Sequence, residues 1–185
     1  MEHHIRLPLT KECAAAIKSG DAVYLTGEIY AARDASHKRI VQLLSEGKEL
    51  PFPLQDAVIY YVGPTPAKPG QVIGSAGPTT SSRMDAYAPQ LLRLGLRGMI
   101  GKGKRTSEVV AAMKEAGAVY FGAIGGAGAL LASCIKSCEV IAFEDLGTEA
   151  VHRLYVENFP ARAIIDANGE NLYETGRRAY LESDS

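Results

Sequence analysis

Along most of the chain, apolar residues come in short runs that alternate with amphipathic stretches, and glycine or proline marks nearly every junction. Residues 21–30 are rich in β-branched and aromatic side chains and read as a strand. Asp34 is suited to cap a helix whose apolar positions Ile40, Val41, Leu43 and Leu44 stop at Gly47. Residues 50–54 carry two prolines and read as a loop, whereas 57–62 are almost continuously apolar, as in a strand covered on both faces. Three prolines within 63–70 break the chain before a short strand expected at 71–74. A helix bearing Tyr87, Leu91, Leu92 and Leu94 stops at Gly95, and a strand opens at Gly98. The next helix, 107–116, turns Val109, Val110 and Met113 inward and ends at Gly117; residues 119–124 and 138–143 read as further strands. Beyond Gly147 the pattern changes. Residues 150–156 and 163–165 alternate with period two, and Asn168-Gly169 signals a hairpin into a final strand near Leu172. The expectation is one α/β domain over 1–185, with parallel strands in the middle and antiparallel strands at the end.

Composition narrows the function classes. A chain of 185 residues, 46% hydrophobic and 22% charged, has the proportions of an ordinary globular domain. A net charge of −1 and the lack of long basic runs argue against nucleic acid or an anionic membrane as partner. No apolar run approaches the roughly 20 residues needed to span a bilayer. The first residues lack the apolar core of a signal peptide, so the expected compartment is the cytoplasm. The cysteines are Cys13, Cys134 and Cys138, an odd set that fits a reducing compartment. On a helix Cys134 and Cys138 would share a face, yet two thiolates do not complete a zinc or iron–sulfur set, and small buried hydrophobes are the simpler reading.

The chemistry gathers just beyond strand ends, where α/β sheets bind ligands. The run Gly-Pro-Thr-Thr-Ser-Ser-Arg-Met-Asp, 77–85, sets four hydroxyls and Arg83 ahead of an apolar helical pattern. Ser82 and Asp85 have capping-box spacing, which places a helix start near Arg83 and offers an anion unpaired N–H groups and a two-pronged guanidinium. A second cluster holds Arg33 and His37, four residues apart at a helix start. The third is Lys102, flanked by two glycines that free its backbone for close approach. Three converging cations suit a small dicarboxylate. Lys38, Arg39, Lys104 and Arg105 read as solvated surface, and His3, His4 and His152 as surface or structural histidines. Glu144 and Asp145 follow a strand, but nothing pairs them with a nucleophile. The glycine-rich stretch 122–128 lacks the last small residue of a dinucleotide fingerprint, where Leu131 stands, and it has no Gly-Lys-Ser/Thr. Strand–helix packing or a backbone wall to a pocket explains it better than a nucleotide.

Taken in order, Thr26-Gly27-Glu28-Ile29-Tyr30-Ala31-Ala32-Arg33-Asp34-Ala35-Ser36-His37-Lys38, then 77–85, then Ile100-Gly101-Lys102-Gly103 resemble the β subunit, or C-terminal domain, of iron–sulfur hydro-lyases: class I fumarase and L(+)-tartrate dehydratase. The 120–131 run and Asn158-Phe159-Pro160-Ala161 with Asp166 and Gly169 match in the same order, so the similarity covers about residues 7–173. The resemblance implies a swivelling β/β/α fold. It implies a [4Fe–4S] cluster carried by a partner α subunit, where an open iron acts as Lewis acid on the departing hydroxyl. By position, Arg33, Arg83 and Lys102 would hold the substrate carboxylates, Thr79 would lie near the reacting carbon, and Asp34 and His37 would support them from behind. A threonine hydroxyl needs a partner carboxylate or must relay a proton. The implied activity is reversible hydration of fumarate to L-malate at a site shared between two chains, with αβ units joining into a larger assembly. Tartrate dehydration uses the same cations, and a non-catalytic small-anion-binding domain is a reading of a different class.

Overall fold

The computed structural model describes residues 1–123 and 128–183. Its elements follow the chain as β1 (Glu2–Arg6), α1 (Lys11–Ala16), β2 (Ala22–Ala31), α2 (Asp34–Ser45), β3 (Val58–Tyr60), α3 (Ala88–Arg93), β4 (Gly98–Gly101), α4 (Ser107–Ala116), β5 (Val119–Ala123), α5 (Gly128–Ser133), β6 (Ile135–Ala142), β7 (Val151–Ile165) and α6 (Leu172–Ser183). Short 3-10 turns occupy Ser81–Met84 and Glu144–Glu149.

The sheet runs β1-β2-β3-β4-β5-β7-β6, with β2 also paired to β7. Neighbours from β1 to β5 are parallel, and β7 is antiparallel to β2, β5 and β6. The ladder from β2 through β3, β4, β5 and β7 therefore returns to β2 and closes on itself. This is the mixed α/β architecture expected from the pattern.

Alternation divides the core in two. Val58, Tyr60, Ile100, Val119 and Phe121 pack with Leu25, Leu154 and Phe159 on one side of the sheet. Their strand neighbours Ile59, Met99 and Tyr120 pack on the other, against Ile40 of α2, Leu91 and Leu92 of α3, and Val109 and Met113 of α4. With both faces covered, β3 to β5 need apolar residues at nearly every position, which is why they read as unbroken runs. The α4 helix spans the predicted residues; Thr106 accepts a hydrogen bond from the Val109 N–H at its start, and Gly117 adopts a left-handed conformation at its end.

Several expectations are corrected. Residues 71–74 form no strand: Gly74 N–H bonds back to Thr65 O in an irregular loop. The two alternating segments near the end belong to one 15-residue strand, β7. The Asn168-Gly169 turn is present, with Gly169 N–H bonded to Asp166 O, but it leads into the helix α6 rather than a strand. Leu172 to Ser183 repeats apolar residues at helical spacing (Leu172, Tyr173, Tyr180, Leu181), and this period overrides the hairpin signal. Cys134 and Cys138 do not share a helix; Cys134 immediately precedes β6 and Cys138 lies within it, both partly buried against the core. Arg33, not Asp34, caps α2, with its backbone N–H bonded to Ser36 Oγ.

Candidate functional site

The parallel strands β2, β3 and β4 deliver their carboxyl ends to the same end of the sheet, and the chemistry-bearing residues follow directly. Beyond β2 comes Arg33. Beyond β3 comes Gly63, and beyond β4 comes Lys102. The segment after the 63–76 loop folds back over these ends: Thr79 N–H donates to Tyr61 O at 2.7 Å, and Ser81 N–H donates to Lys102 O at 2.8 Å. Thr80 and Lys102 thus form a short parallel bridge that extends the sheet by one pairing.

Two glycines make this arrangement possible. A methyl group at Gly63 would lie 2.9 Å from Arg33 Cδ and 3.3 Å from the Thr148 carbonyl, so the guanidinium arm lies directly across a bare backbone. A methyl at Gly101 would press into Ser81 and approach the Tyr61 ring to 2.8 Å, so the 79–81 segment crosses β4 where a side chain would block it. The expectation had assigned close approach to the glycines flanking Lys102; Gly101 meets it.

The result is a cleft of about 510 Å³ lined by Arg33, Gly63, Thr65, Ser75, Gly77, Pro78, Thr79, Lys102 and Ala123. Two cations and three hydroxyl side chains face one volume. A cleft of about 430 Å³ elsewhere, around Arg6, Glu28 and Tyr155, mixes both charge signs and brings together none of the predicted residues. Arg33 is three-quarters buried, with Nε 3.6 Å from Asp34 Oδ1 and 3.8 Å from Glu149 Oε1. Both distances exceed a hydrogen bond, and neither Arg33 Nε nor Asp34 Oδ1 has another partner among the described residues. The guanidinium therefore keeps hydrogen-bonding capacity for an anion.

The other predicted residues fall as follows. Arg83 is exposed and stands outside the cleft lining, because the 3-10 turn Ser81–Met84 buries Ser81 and Met84 and leaves Ser82 and Arg83 facing outward. The capping box is not formed: Asp85 instead accepts from Arg105 Nε at 2.7 Å and from Thr106 N–H at 2.8 Å. His37 is fully buried behind Arg33, its Nδ1 donating to Arg33 O at 2.7 Å and its ring edge-on to Tyr61. Burial pulls its pKa down to about 4, against a smaller opposing effect of the Arg33 carbonyl.

Arg105 corrects the surface reading. Its side chain is wholly buried, stacked over Tyr61 and Tyr120 with ring centroids 5.2 and 4.9 Å away, and Nη2 donates to Tyr61 OH at 3.2 Å. Asp145 pairs with Arg39 through both carboxylate oxygens. His152 is buried and structural, donating from Nδ1 to Ala150 O. Missed in the sequence were Gly63, Thr65, Ser75 and Glu149; only the Gly-Pro pair after β3 marked that strand end as a place where the chain turns. The glycine-rich stretch is described at Gly122, Ala123 and Gly128, where Ala76 N–H bonds to Gly128 O; residues 124–127, on which the nucleotide reading rested, lie outside the described residues.

Among the described residues no group of three or more His, Cys, Asp or Glu is placed to hold a metal ion. No helix of the described residues is long and apolar enough to cross a membrane.

The mixed sheet gathers two cations and three hydroxyl side chains beyond the carboxyl ends of its parallel strands. The match to known proteins is specific. Residues 2–176 fit the family model described as Fumarase C-terminus, and the chain belongs to that family. It is 39% identical over 180 residues to a Methanocaldococcus jannaschii protein named "Putative L(+)-tartrate dehydratase subunit beta", covering 94% of this chain and 92% of that one. It is 41% identical over 152 residues to "Fumarate hydratase class I, anaerobic" of Escherichia coli K12 and to "Fumarate hydratase 1, mitochondrial" of Leishmania major. Those matches cover 81% of this chain but 28% of each hydratase. The relatives are hydratases and a dehydratase subunit, which places the chain in a hydro-lyase family.

Proposed function

We propose that this chain is the carboxylate-holding β subunit of a two-chain hydro-lyase that interconverts fumarate and L-malate. The observation that carries this reading is the shared cleft of Arg33, Thr79 and Lys102. Arg33 takes one carboxylate with two parallel bonds, and Lys102, beyond the carboxyl end of β4, takes charge on the other. Removing a proton from the carbon beside a carboxylate builds negative charge on that carboxylate. Cations already in place stabilise this charge more in the transition state than in the bound substrate. Thr79 stands between them as a proton relay whose terminal base belongs to the partner. Arg83, exposed on the next turn, completes the cation set from the open side. The partner α chain carries the [4Fe–4S] cluster, which supplies Lewis-acid activation of the hydroxyl when bound.

The test is anaerobic hydration of fumarate by this chain alone and then assembled with a cluster-loaded α chain. Activity is expected in the assembly only. Arg83→Lys keeps the charge but loses the two-pronged geometry, and is expected to lower turnover while assembly stays intact. Unchanged hydration with Arg83→Ala removes that residue from the site. The second reading, dehydration of L(+)-tartrate, is favoured by the Methanocaldococcus relative, matched over 92% of its length. Running tartrate beside malate decides between them.

A further inference from the structure

The two arms of the cleft come from different parts of the chain: one carries Thr79, the other Lys102. Two main-chain bonds join them directly, Ser81 N–H to Lys102 O at 2.8 Å and Lys102 N–H to Thr79 O at 3.4 Å, and a hydroxyl chain braces the same pair from within the core. Tyr120, near the start of β5, donates its OH to Gly103 O at 2.8 Å. That uses its only proton, so the 2.8 Å contact between Tyr120 OH and Ser81 Oγ must be Ser81 donating to the phenol oxygen. Ser81 is fully buried, and its N–H holds Lys102 O. The guanidinium of Arg105 lies over the Tyr120 ring and, through Asp85, ties the end of the 3-10 turn to the start of α4.

We propose that Ser81 and Tyr120 act as positioning residues that brace the main-chain bridge between Thr79 and Lys102, through the relay Ser81 OH to Tyr120 OH to Gly103 C=O. Neither side chain lines the cleft, so both act through the residues that do. The relay rests on the functional reading above only for its kinetic consequence; the cross-link itself does not depend on it. Because both hydroxyls are buried, Tyr120→Phe removes the bond to Gly103 O and leaves the Ser81 O–H without its acceptor, whereas Ser81→Ala removes only the bond from the 79–83 arm to the phenol; either change breaks the link between the two arms.

The experiment compares Tyr120→Phe, Ser81→Ala and the double variant in the assembled enzyme, with Lys102→Ala as a control for the site. Hydrogen exchange is expected to quicken in both 79–83 and 101–104 in either single variant, with Tm lowered by the lost buried bond but the assembly still folded. For fumarate, kcat/KM is expected to fall about tenfold, mainly through KM, and the double variant to be no worse than Tyr120→Phe alone. A merely structural role lowers the amount of active enzyme and leaves KM in place. The proposal is overturned if exchange quickens in one arm only or in neither, or if the two substitutions are additive. If Tyr120→Phe does not fold, Ser81→Ala alone carries the same comparison. Full activity in Lys102→Ala overturns the functional reading instead, while the exchange result still decides the cross-link.

Discussion

His37 shows how a polar residue on an inward helix face becomes a pH sensor for stability. It is buried in its neutral form, whereas the unfolded chain takes up a proton near pH 6.5. Its folded pKa is lowered, so the stability it permits is complete above 6.5 and is lost as pH falls toward about 4. The full effect is at most about 3 kcal/mol. A thermal melt series is expected to show Tm falling across this window, and His37→Gln to flatten it. Asp21 gives a separate step. Bonds from Lys18 N–H and His3 hold its carboxyl down to about 2, so its contribution is present above pH 3.8 and lost below. The glycines offer a sharper contrast. At Gly63 the obstruction is mainly the Arg33 side-chain stem, so Gly63→Ala is expected to displace the guanidinium and weaken substrate binding with little change in Tm. At Gly101 the obstruction is buried Ser81 and Tyr61, so Gly101→Ala is expected to cost about 1–3 kcal/mol in denaturant unfolding as well as activity.

At the level of elements, Asp85 and Arg105 join the 3-10 turn to α4 and belong to the fold as much as to the site. Removing one partner of a buried pair strands the other, and Arg105→Ala is expected to cost about 3–5 kcal/mol. Denaturant midpoints for Arg105→Ala and Asp85→Asn check this. Arg105 was illegible in the sequence for a physical reason. Lys104 and Arg105 sit side by side in a polar run, and only the aromatic rings of Tyr61, just past β3, and Tyr120, on β5, tell which of them turns inward. The same limit applies to Arg83: hydroxyl and arginine spacing marks a turn near a strand end, but not the direction in which a 3-10 turn presents each side chain. Periodicity, by contrast, located β2, α4 and the apolar strands β3 to β5, because burial on one face or both leaves its mark at every position. Clustering beyond strand ends singled out Arg33, Thr79 and Lys102, and the resemblance supplied their expected roles; the structure shows them together on one cleft, and kinetics of each variant decides those roles.

At the scale of the whole molecule, this chain matches nearly the full length of one relative and 28% of others, so the same domain occurs both in a subunit-length protein and inside a longer chain. The expected silence of the isolated chain is the direct test of the proposal that a second body completes the site. The closed ladder carries a kinetic consequence. Ala22 pairs with Arg162 and Ala31 with His152, so β2 waits for the last strand before its open edge is covered. Such long-range pairing slows folding. On a ribosome, β1 to β5 would emerge with that edge bare, and a nascent chain halted before residue 151 should be held by chaperones or aggregate rather than fold.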